Sequence, residues 1–569
     1  MSVPTKAKWE PPGPGSWVCE RSHGSPGRTP VYQRISTEHT GPTYRKVFAD
    51  YGGAIDTLEF RWVNGAMFRR LVPLVGANRD TGKVPPNPVL WLATRLHPEF
   101  RRREKQAKRT MADRTFLEPI RAWNGGERER WRTENLAFQA VALADLTDSG
   151  LADHLDEIDQ HLVAGWCRHH QLHGSDLGPI GDLLAHAKGW GLDLTAVMGL
   201  LRGASPATVE AAAHSRTIAA VLRAGGTDPT AVSSIEQIRA VPAAGAALDE
   251  YLEEFGCRLV SSYDIDGLTL NEVPGAVCAL IRRAGQQLDD PAETGDHVRA
   301  EVAVTEAELR SQCPDPAAFD DLLAMAREAY GVRDDNGPMT WEWPAGLARR
   351  AYVEAGRRLV DGEKIDVPEH VFELDLPEVA ALLRDASEGS DQGLIDLDAV
   401  RRRAELRAWQ ATLDPPDVLG PPPAEPDLSP LPPGIRRTMG LIVAAVSMLD
   451  PDPARDAVRL QGLGIGNRSY VGRARVATEP NQAFQEMEPG DVLVVPWTAP
   501  SYNAVLAIAG AVVVEQGGLL CHAAVMAREL DIPAVVGCVE AMTAITSGDL
   551  VEVDPTTGTV RIVPDPAPA

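Results

Sequence analysis

Glu515-Gln-Gly-Gly-Leu-Leu-Cys-His-Ala-Ala-Val-Met-Ala-Arg-Glu-Leu-Asp-Ile-Pro-Ala-Val-Val-Gly537 is the stretch from which the rest of the chain is read. The apolar run Ala511 to Val514 leads into it. A short apolar run closed by glycines reads as a buried strand entering a tight turn, and Gly517 and Gly518 form that turn. Cys521 and His522 stand at the head of a helical pattern, Ala523 to Leu530. Ile532 to Val536 reads as the next buried strand, its pairing limited by Pro533. His522 is therefore expected on a strand–turn–helix corner. Backbone N–H groups at a helix start favour an anion, so a histidine there can carry a phosphoryl group that the backbone helps to hold. A neutral imidazole, with an unperturbed pKa of about 6.5, is a competent nucleophile near pH 7.

These residues resemble the phosphohistidine (swivelling) domain of the phosphoenolpyruvate-utilising enzymes, a family that includes phosphoenolpyruvate synthase, pyruvate phosphate dikinase and rifampin phosphotransferase. The family pattern runs Gly-Gly, two residues, a small polar residue, His, Ala, and then Ala-Arg-Glu-Leu-Gly-Ile-Pro-Ala-Val-Val-Gly. Asp531 stands where that run has its glycine, and Cys521 matches the synthase spelling. Thr498-Ala-Pro500 with Tyr502 resembles the family's second loop, which is expected beside the histidine loop; a simple turn around Pro500 is the alternative.

Composition narrows the class. The 569 residues suffice for several domains. With 56 Lys and Arg against 80 Asp and Glu, the net charge of −24 repels a phosphate backbone and argues against nucleic acid. No apolar run approaches the ~20 residues that span a bilayer. The N-terminus lacks an apolar signal core, and the seven cysteines include no CxxC pair that would suggest a zinc site. A cytoplasmic protein without a membrane partner is expected.

Along the chain, the expected fold is multidomain α plus α/β: a large, mainly helical body followed by a C-terminal β/β/α swivelling domain. Residues 1–85 read as an extended, Pro- and Gly-rich arm to about Arg45 and a small strand region. Residues 86–412 read as a helical acceptor-binding body. Within it, Ser205-Pro206 spells an N-cap with proline at the first helical position, Thr305 to Glu308 a capping box, and Asp375 to Glu378 another helix start. Residues 413–453 read as a Pro-rich linker and hinge helix, the prolines of Leu413 to Pro433 favouring a stiff extended spacer. Residues 454–569 read as the phosphohistidine domain.

The chemistry is placed partly by residues and partly by resemblance. His522 is the expected catalytic residue. Gly517, Gly518, Cys521, Arg528 and Thr498 are expected to bind or orient the phosphoryl. Arg528 lies off the His522 face at helical spacing, so an ion pair that orients the helix is its alternative. Acceptor-site candidates come from the densest polar cluster of the body, with His169, His170, His173 and Asp176, and from Arg333 and Asp335. His169 and His173 are i, i+4 neighbours, able to supply a general base; a solvated or core-capping cluster is the plain alternative. No metal site is expected on this chain.

The segments around Tyr251 to Arg258, Tyr263 to Asp266 and Tyr330 to Asn336 extend the resemblance more loosely, with Cys257 where the family carries histidine. The chain reads as beginning where the ATP-binding domain of single-chain relatives ends, and as stopping without their pyruvate-binding barrel. The resemblance therefore implies a phosphohistidine-bearing subunit of a dikinase-type phosphotransferase. It implies ATP and Mg2+ on a separate ATP-grasp-like partner subunit, and a small hydroxyl acceptor. A phenol or other apolar alcohol is the leading acceptor class and an antibiotic hydroxyl the second. A non-catalytic phosphocarrier or regulator is the rival function.

Overall fold

The computed structural model describes the chain apart from residues 1–3, 5, 22–23, 76–85, 205, 289–294, 389–394, 424–426, 450–458, 500–501 and 565–569. The N-cap reading at Ser205, Pro500 of the second loop and the expected domain boundary at 453/454 lie outside the described residues. The chain divides into two compact units. One comprises residues 1–175, 264–267 and 339–440, the other 176–263, 268–338 and 441–569.

The first unit is mainly helical, with a four-stranded sheet of order β2-β3-β1-β4. Its strands are β1 (Trp17–Cys19), β2 (Ile55–Val63), β3 (Ala66–Pro73) and β4 (Val418–Leu419). The expected extended arm needs correction. Residues Pro30–Tyr51 form a 22-residue helix, started by the Thr29 side chain accepting from Tyr32 N–H and by proline at the first turn. Gly41 and Pro42 hide it from propensity, but Val31, Tyr32, Ile35, Val47 and Phe48 are buried along it, and that packing outweighs a weak intrinsic preference. The Pro-rich segment is likewise held rather than free-standing. Val418 and Leu419 pair with β1, Arg21 donates to the Pro415 carbonyl and to Asp417, and Thr94 donates to the Pro430 carbonyl.

The core of this unit is aromatic. The Tyr32 ring is fully buried and meets Trp62, Trp166 and Trp341 edge-on at centroid distances of 5.6–5.9 Å. Residues 264–267 reach into the unit from chain that otherwise belongs to the second. Both Asp264 carboxylate oxygens accept from Thr29, one from its N–H and one from its hydroxyl, each at 2.7 Å.

In the second unit, helices Pro206–Ala224, Pro242–Phe255 and Pro274–Gln287 enclose an apolar cluster that includes Leu222, Leu248 and Ile281. The rest is the expected C-terminal α/β domain. Its sheet runs β11-β10-β6-β7-β8-β9-β5, with β5 (Leu463–Ile465), β6 (Tyr470–Val476), β7 (Val492–Val495), β8 (Ala511–Val514), β9 (Ala534–Val536), β10 (Leu550–Asp554) and β11 (Thr559–Ile562). The four strands β6 to β9 are parallel and adjacent in chain order, while β5, β10 and β11 pair antiparallel at the flanks. Every residue of β7, β8 and β9 is buried. Buried parallel strands read as unbroken apolar runs, which is why Val492 to Val495 and Ala511 to Val514 were readable as strands.

The two parts of this unit are joined by side chains. Phe484 of the α/β domain packs on the helical cluster, Arg283 donates to the Ala509 carbonyl, and Arg202 pairs with Asp531 at 2.8 Å.

Candidate active site around His522

Parallel strands joined by short crossovers present their carboxyl ends together, and that edge is where open α/β sheets gather ligands. His522 lies there. The loop from Glu515 to Cys521 leaves the end of β8, and the helix His522–Glu529 returns the chain to β9, with Cys521 extended at φ −65 and ψ 159 in the N-cap position. The sharp turn needs glycine at 517. Its φ is +128, and a Cβ there would stand 2.8 Å from the Cys521 sulfur. Gly518 accepts from the Cys521 N–H at 3.0 Å, closing the turn before the helix.

Both imidazole nitrogens of His522 are engaged from the β7–β8 connection. Nδ1 lies 3.1 Å from Thr498 Oγ1, and Nε2 lies 2.8 Å from Asn503 Oδ1. The expectation that the Thr498 loop stands beside the histidine loop is matched by this contact. Asn503 was missed. It opens the short helix Asn503–Leu506, one residue beyond Tyr502, and nothing in its type marks it. Tyr502 anchors the loop: its ring is fully buried and meets Trp497 edge-on at 6.1 Å.

Arg528 bends back to this loop. Its Nη1 donates 2.7 Å to the Leu519 carbonyl, so it orients the turn that carries His522. The side chain is 7% exposed, and Nη2 has no hydrogen-bond partner among the described residues. A buried guanidinium with an unused donor is costly unless something polar meets it. Burial pushes the Cys521 thiol above its ordinary pKa, against the opposing pull of helix-start N–H groups and Arg528. Cys521 is thus a poor thiolate.

Just beyond, Glu529 accepts from the Gly203 N–H, with both oxygens at 3.2 Å. Burial pushes its carboxyl up to about 8 and nearby Asp334 adds to the effect, while the Gly203 N–H, Arg202 and Arg528 oppose it. Asp531, at the family's glycine position, has φ +51. The left-handed backbone explains why glycine suits that position, and the aspartate there gains the Arg202 pair.

The acceptor-site candidates fall into two groups. His169, His170 and His173 belong to the first unit, on the helix Asp148–Gly189. The His169 and His173 rings are 4.3 Å apart between centroids. His170 is buried against Trp166, with Nδ1 2.9 Å from the Trp166 carbonyl oxygen, a core-packing arrangement. Asp176, Arg333 and Asp335 belong to the second unit, as His522 does. Arg333 donates to Asp176 at 3.2 Å, and both Asp176 and Asp335 are buried. Among the described residues, no group of three or more His, Cys, Asp or Glu side chains is gathered to hold a metal ion, and no helix is long and apolar enough to cross a membrane.

This corner, in this sheet, defines a phosphohistidine-type mobile domain, and residues 487–558 match the family model of the PEP-utilising enzyme mobile domain. Residues 207–334 match that of the rifampicin phosphotransferase fourth domain. Over these segments the chain is thus similar to PEP-utilising enzymes and to rifampicin phosphotransferase. It is 30% identical over 331 residues to chondramide synthase of Chondromyces crocatus, covering 56% of this chain and 8% of that protein. It is 28% identical over 354 residues to rifampicin phosphotransferase of Streptomyces sviceus, covering 60% and 37%. To phosphoenolpyruvate synthase of Escherichia coli it is 42% identical over 93 residues, covering 16% and 12%. The chain therefore spans well under half the length of each.

Proposed function

We propose that this chain is the phosphohistidine-bearing component of an ATP-dependent phosphotransferase of the dikinase type. His522 accepts a phosphoryl group that originates on ATP, with AMP and inorganic phosphate as the other products, and passes it to a hydroxyl of a small acceptor. The observation that carries the reading is His522 itself. It stands at the head of a helix after a glycine turn, with Thr498 and Asn503 on its two nitrogens, in a domain matching the PEP-utilising mobile domain. Phosphoryl transfer needs in-line positioning and charge stabilisation more than elaborate covalent chemistry, and this site offers both. The paired ring nitrogens hold the nucleophile, and the N–H groups of the helix start beside it favour the phosphoryl oxygens.

The ATP-binding element belongs to a separate ATP-grasp-like subunit in this reading, and Mg2+ accompanies ATP there. A phenol or another apolar alcohol is the acceptor. The match of residues 207–334 to a rifampicin phosphotransferase domain favours, as a second reading, a hydroxyl on an antibiotic. The test is reconstitution with a candidate ATP-grasp partner and γ- or β-labelled ATP. Wild-type chain should acquire acid-labile, base-stable label from the β position and release AMP when an acceptor is supplied. His522→Ala should do neither. Turnover by the His522→Ala chain at the wild-type rate would sink the proposal.

A further inference from the structure

A surface helix ordinarily turns its apolar stripe inward. The helix Asn87–Leu96 of the first unit does the reverse. Val89, Leu92 and Leu96 are 57%, 52% and 63% exposed, and with exposed Ala93 they recur at spacings of three and four, which puts them on one face. The opposite face holds the helix down. Thr94 is buried and donates to the Pro430 carbonyl at 3.2 Å, and Asn87 donates to Asp427 at 2.7 Å. On the flank, half-exposed Trp91 carries the Arg95 guanidinium 4.0 Å from its ring centroid.

After His97 the chain enters the helix Pro98–Asp113, which packs against Asn87–Leu96. Its buried side is Arg103, Ala107 and Thr110. Its outer side carries Arg101, Arg102, Lys105, Lys108 and Arg109, all exposed. Arg102, Lys108 and Arg109 have carboxylates of the same helix beside them; Arg101 and Lys105 have no ion-pair partner among the described residues. This helix holds six cations against three carboxylates, in a chain whose net charge is −24.

We propose that this face adsorbs to the surface of an anionic phospholipid bilayer. The stripe Val89, Leu92, Ala93 and Leu96 enters the boundary between headgroups and acyl chains, and the outer cations of Pro98–Asp113 meet lipid phosphates. A helix that pairs an exposed apolar face with basic flanks and a tryptophan is suited to lie in that plane, and adsorption of this kind needs no spanning segment. The charge is complementary where contact occurs. The acidic remainder of the chain is screened beyond ~8 Å at physiological ionic strength, so the cations at the contact dominate. Area favours lipid over protein: the stripe with Trp91 offers a few hundred Å2 at most, against roughly 800 Å2 per partner in a stable protein interface. A second copy seated on the same stripe would bring an equally basic helix to the contact.

The test is flotation of the full chain with vesicles of phosphatidylcholine alone and of phosphatidylcholine with phosphatidylserine, at low and high salt. Wild type should float with the phosphatidylserine vesicles, and raising the salt or omitting phosphatidylserine should weaken binding about tenfold. The pair Leu92→Ser with Leu96→Ser, and separately Arg101→Glu with Lys105→Glu, should each weaken it to a similar extent with unchanged melting temperatures. Val304→Ser, at an exposed apolar position in the second unit, should bind as wild type does. Wild type that floats with neither vesicle overturns the proposal, as does flotation that both double variants retain in full. Self-association, or capture of an ATP-grasp-like partner, that is lost in Leu92→Ser with Leu96→Ser while vesicles are not bound would make this face a protein interface and overturn the lipid assignment.

Discussion

At the scale of single residues, the site depends on a few groups held by short bonds. Arg528 holds the Leu519 carbonyl and keeps one buried donor unused. Arg528→Gln should therefore loosen the loop that presents His522. Misplacing a reacting group by about 1 Å can cost about 100-fold, so a loss of that order in phosphohistidine formation is expected in a single-turnover assay. Arg528→Lys should recover little of it, because an ammonium cannot reproduce the fork that reaches Leu519. Gly517→Ala tests the turn: with φ +128 and the Cys521 sulfur 2.8 Å from the added carbon, the loop must shift. Labelling of His522 should fall sharply in that variant while circular dichroism of the helices stays unchanged.

At the scale of elements, the histidine helix is tied down at its far end by Glu529 and, just beyond it, Asp531. The Glu529 carboxyl, pushed up to about 8 chiefly by burial, binds a proton more readily folded than unfolded. Its contribution to stability is therefore fully present below the unfolded value near 4.5 and is lost as pH rises through about 8. The shift corresponds to at most ~5 kcal/mol, since each unit is worth about 1.4 kcal/mol. Glu529→Gln mimics the protonated form. It should flatten the pH dependence of the melting temperature between pH 5 and 8 and raise that temperature at pH 8. An unchanged slope would show that Glu529 titrates normally.

Helix starts illustrate the same scale. The start expected at Asp375 is present, Asp375 N–H donating to Glu378 at 2.8 Å. The capping box expected at Thr305 instead lies inside the helix Gly295–Gln312. Thr305 there donates back to the Glu301 carbonyl. A full capping box occurs at Thr269 and Glu272.

At the scale of the whole molecule, chain order and spatial order part company. Residues 264–267 serve the first unit, where Asp264 accepts both Thr29 donors and Arg407 donates to Asp266 at 2.6 Å. Asp264→Asn would set an amide N–H against one of those Thr29 donors. Leaving such a group unsatisfied costs about 1–3 kcal/mol, so the melting temperature should drop by several degrees. Among the described residues, the α/β domain meets the helices of its own unit partly through polar bonds, such as Arg202 to Asp531, as interfaces that come apart tend to do. If His522 travels between donor and acceptor, these contacts must open or move with it. Arg202→Glu should speed hydrogen exchange across residues 515–531 without unfolding the sheet; unchanged exchange would mean that the pair does not hold the domain.

Taken alone, the sequence determined the corner at His522. Strand, glycine turn, helix start and returning strand are contiguous, and each is dictated by neighbours a few residues away: the apolar run of β8, the positive φ that admits Gly517, the helical spacing after His522. For the same reason it determined a mainly helical chain with a C-terminal α/β domain. Tertiary structure alone decided what touches the imidazole. Asn503 reaches Nε2 only because β7 and β8 pair in parallel and bring two crossover loops to one edge, and Asn503 carries no local signal of that pairing. It also decided the helix Pro30–Tyr51, whose Gly41 and Pro42 speak against a helix until Tyr32 meets Trp166 and Trp341. It placed Asp264 beneath Thr29, 235 residues away in the chain, a contact whose donors and acceptor have no counterpart in any short window of sequence.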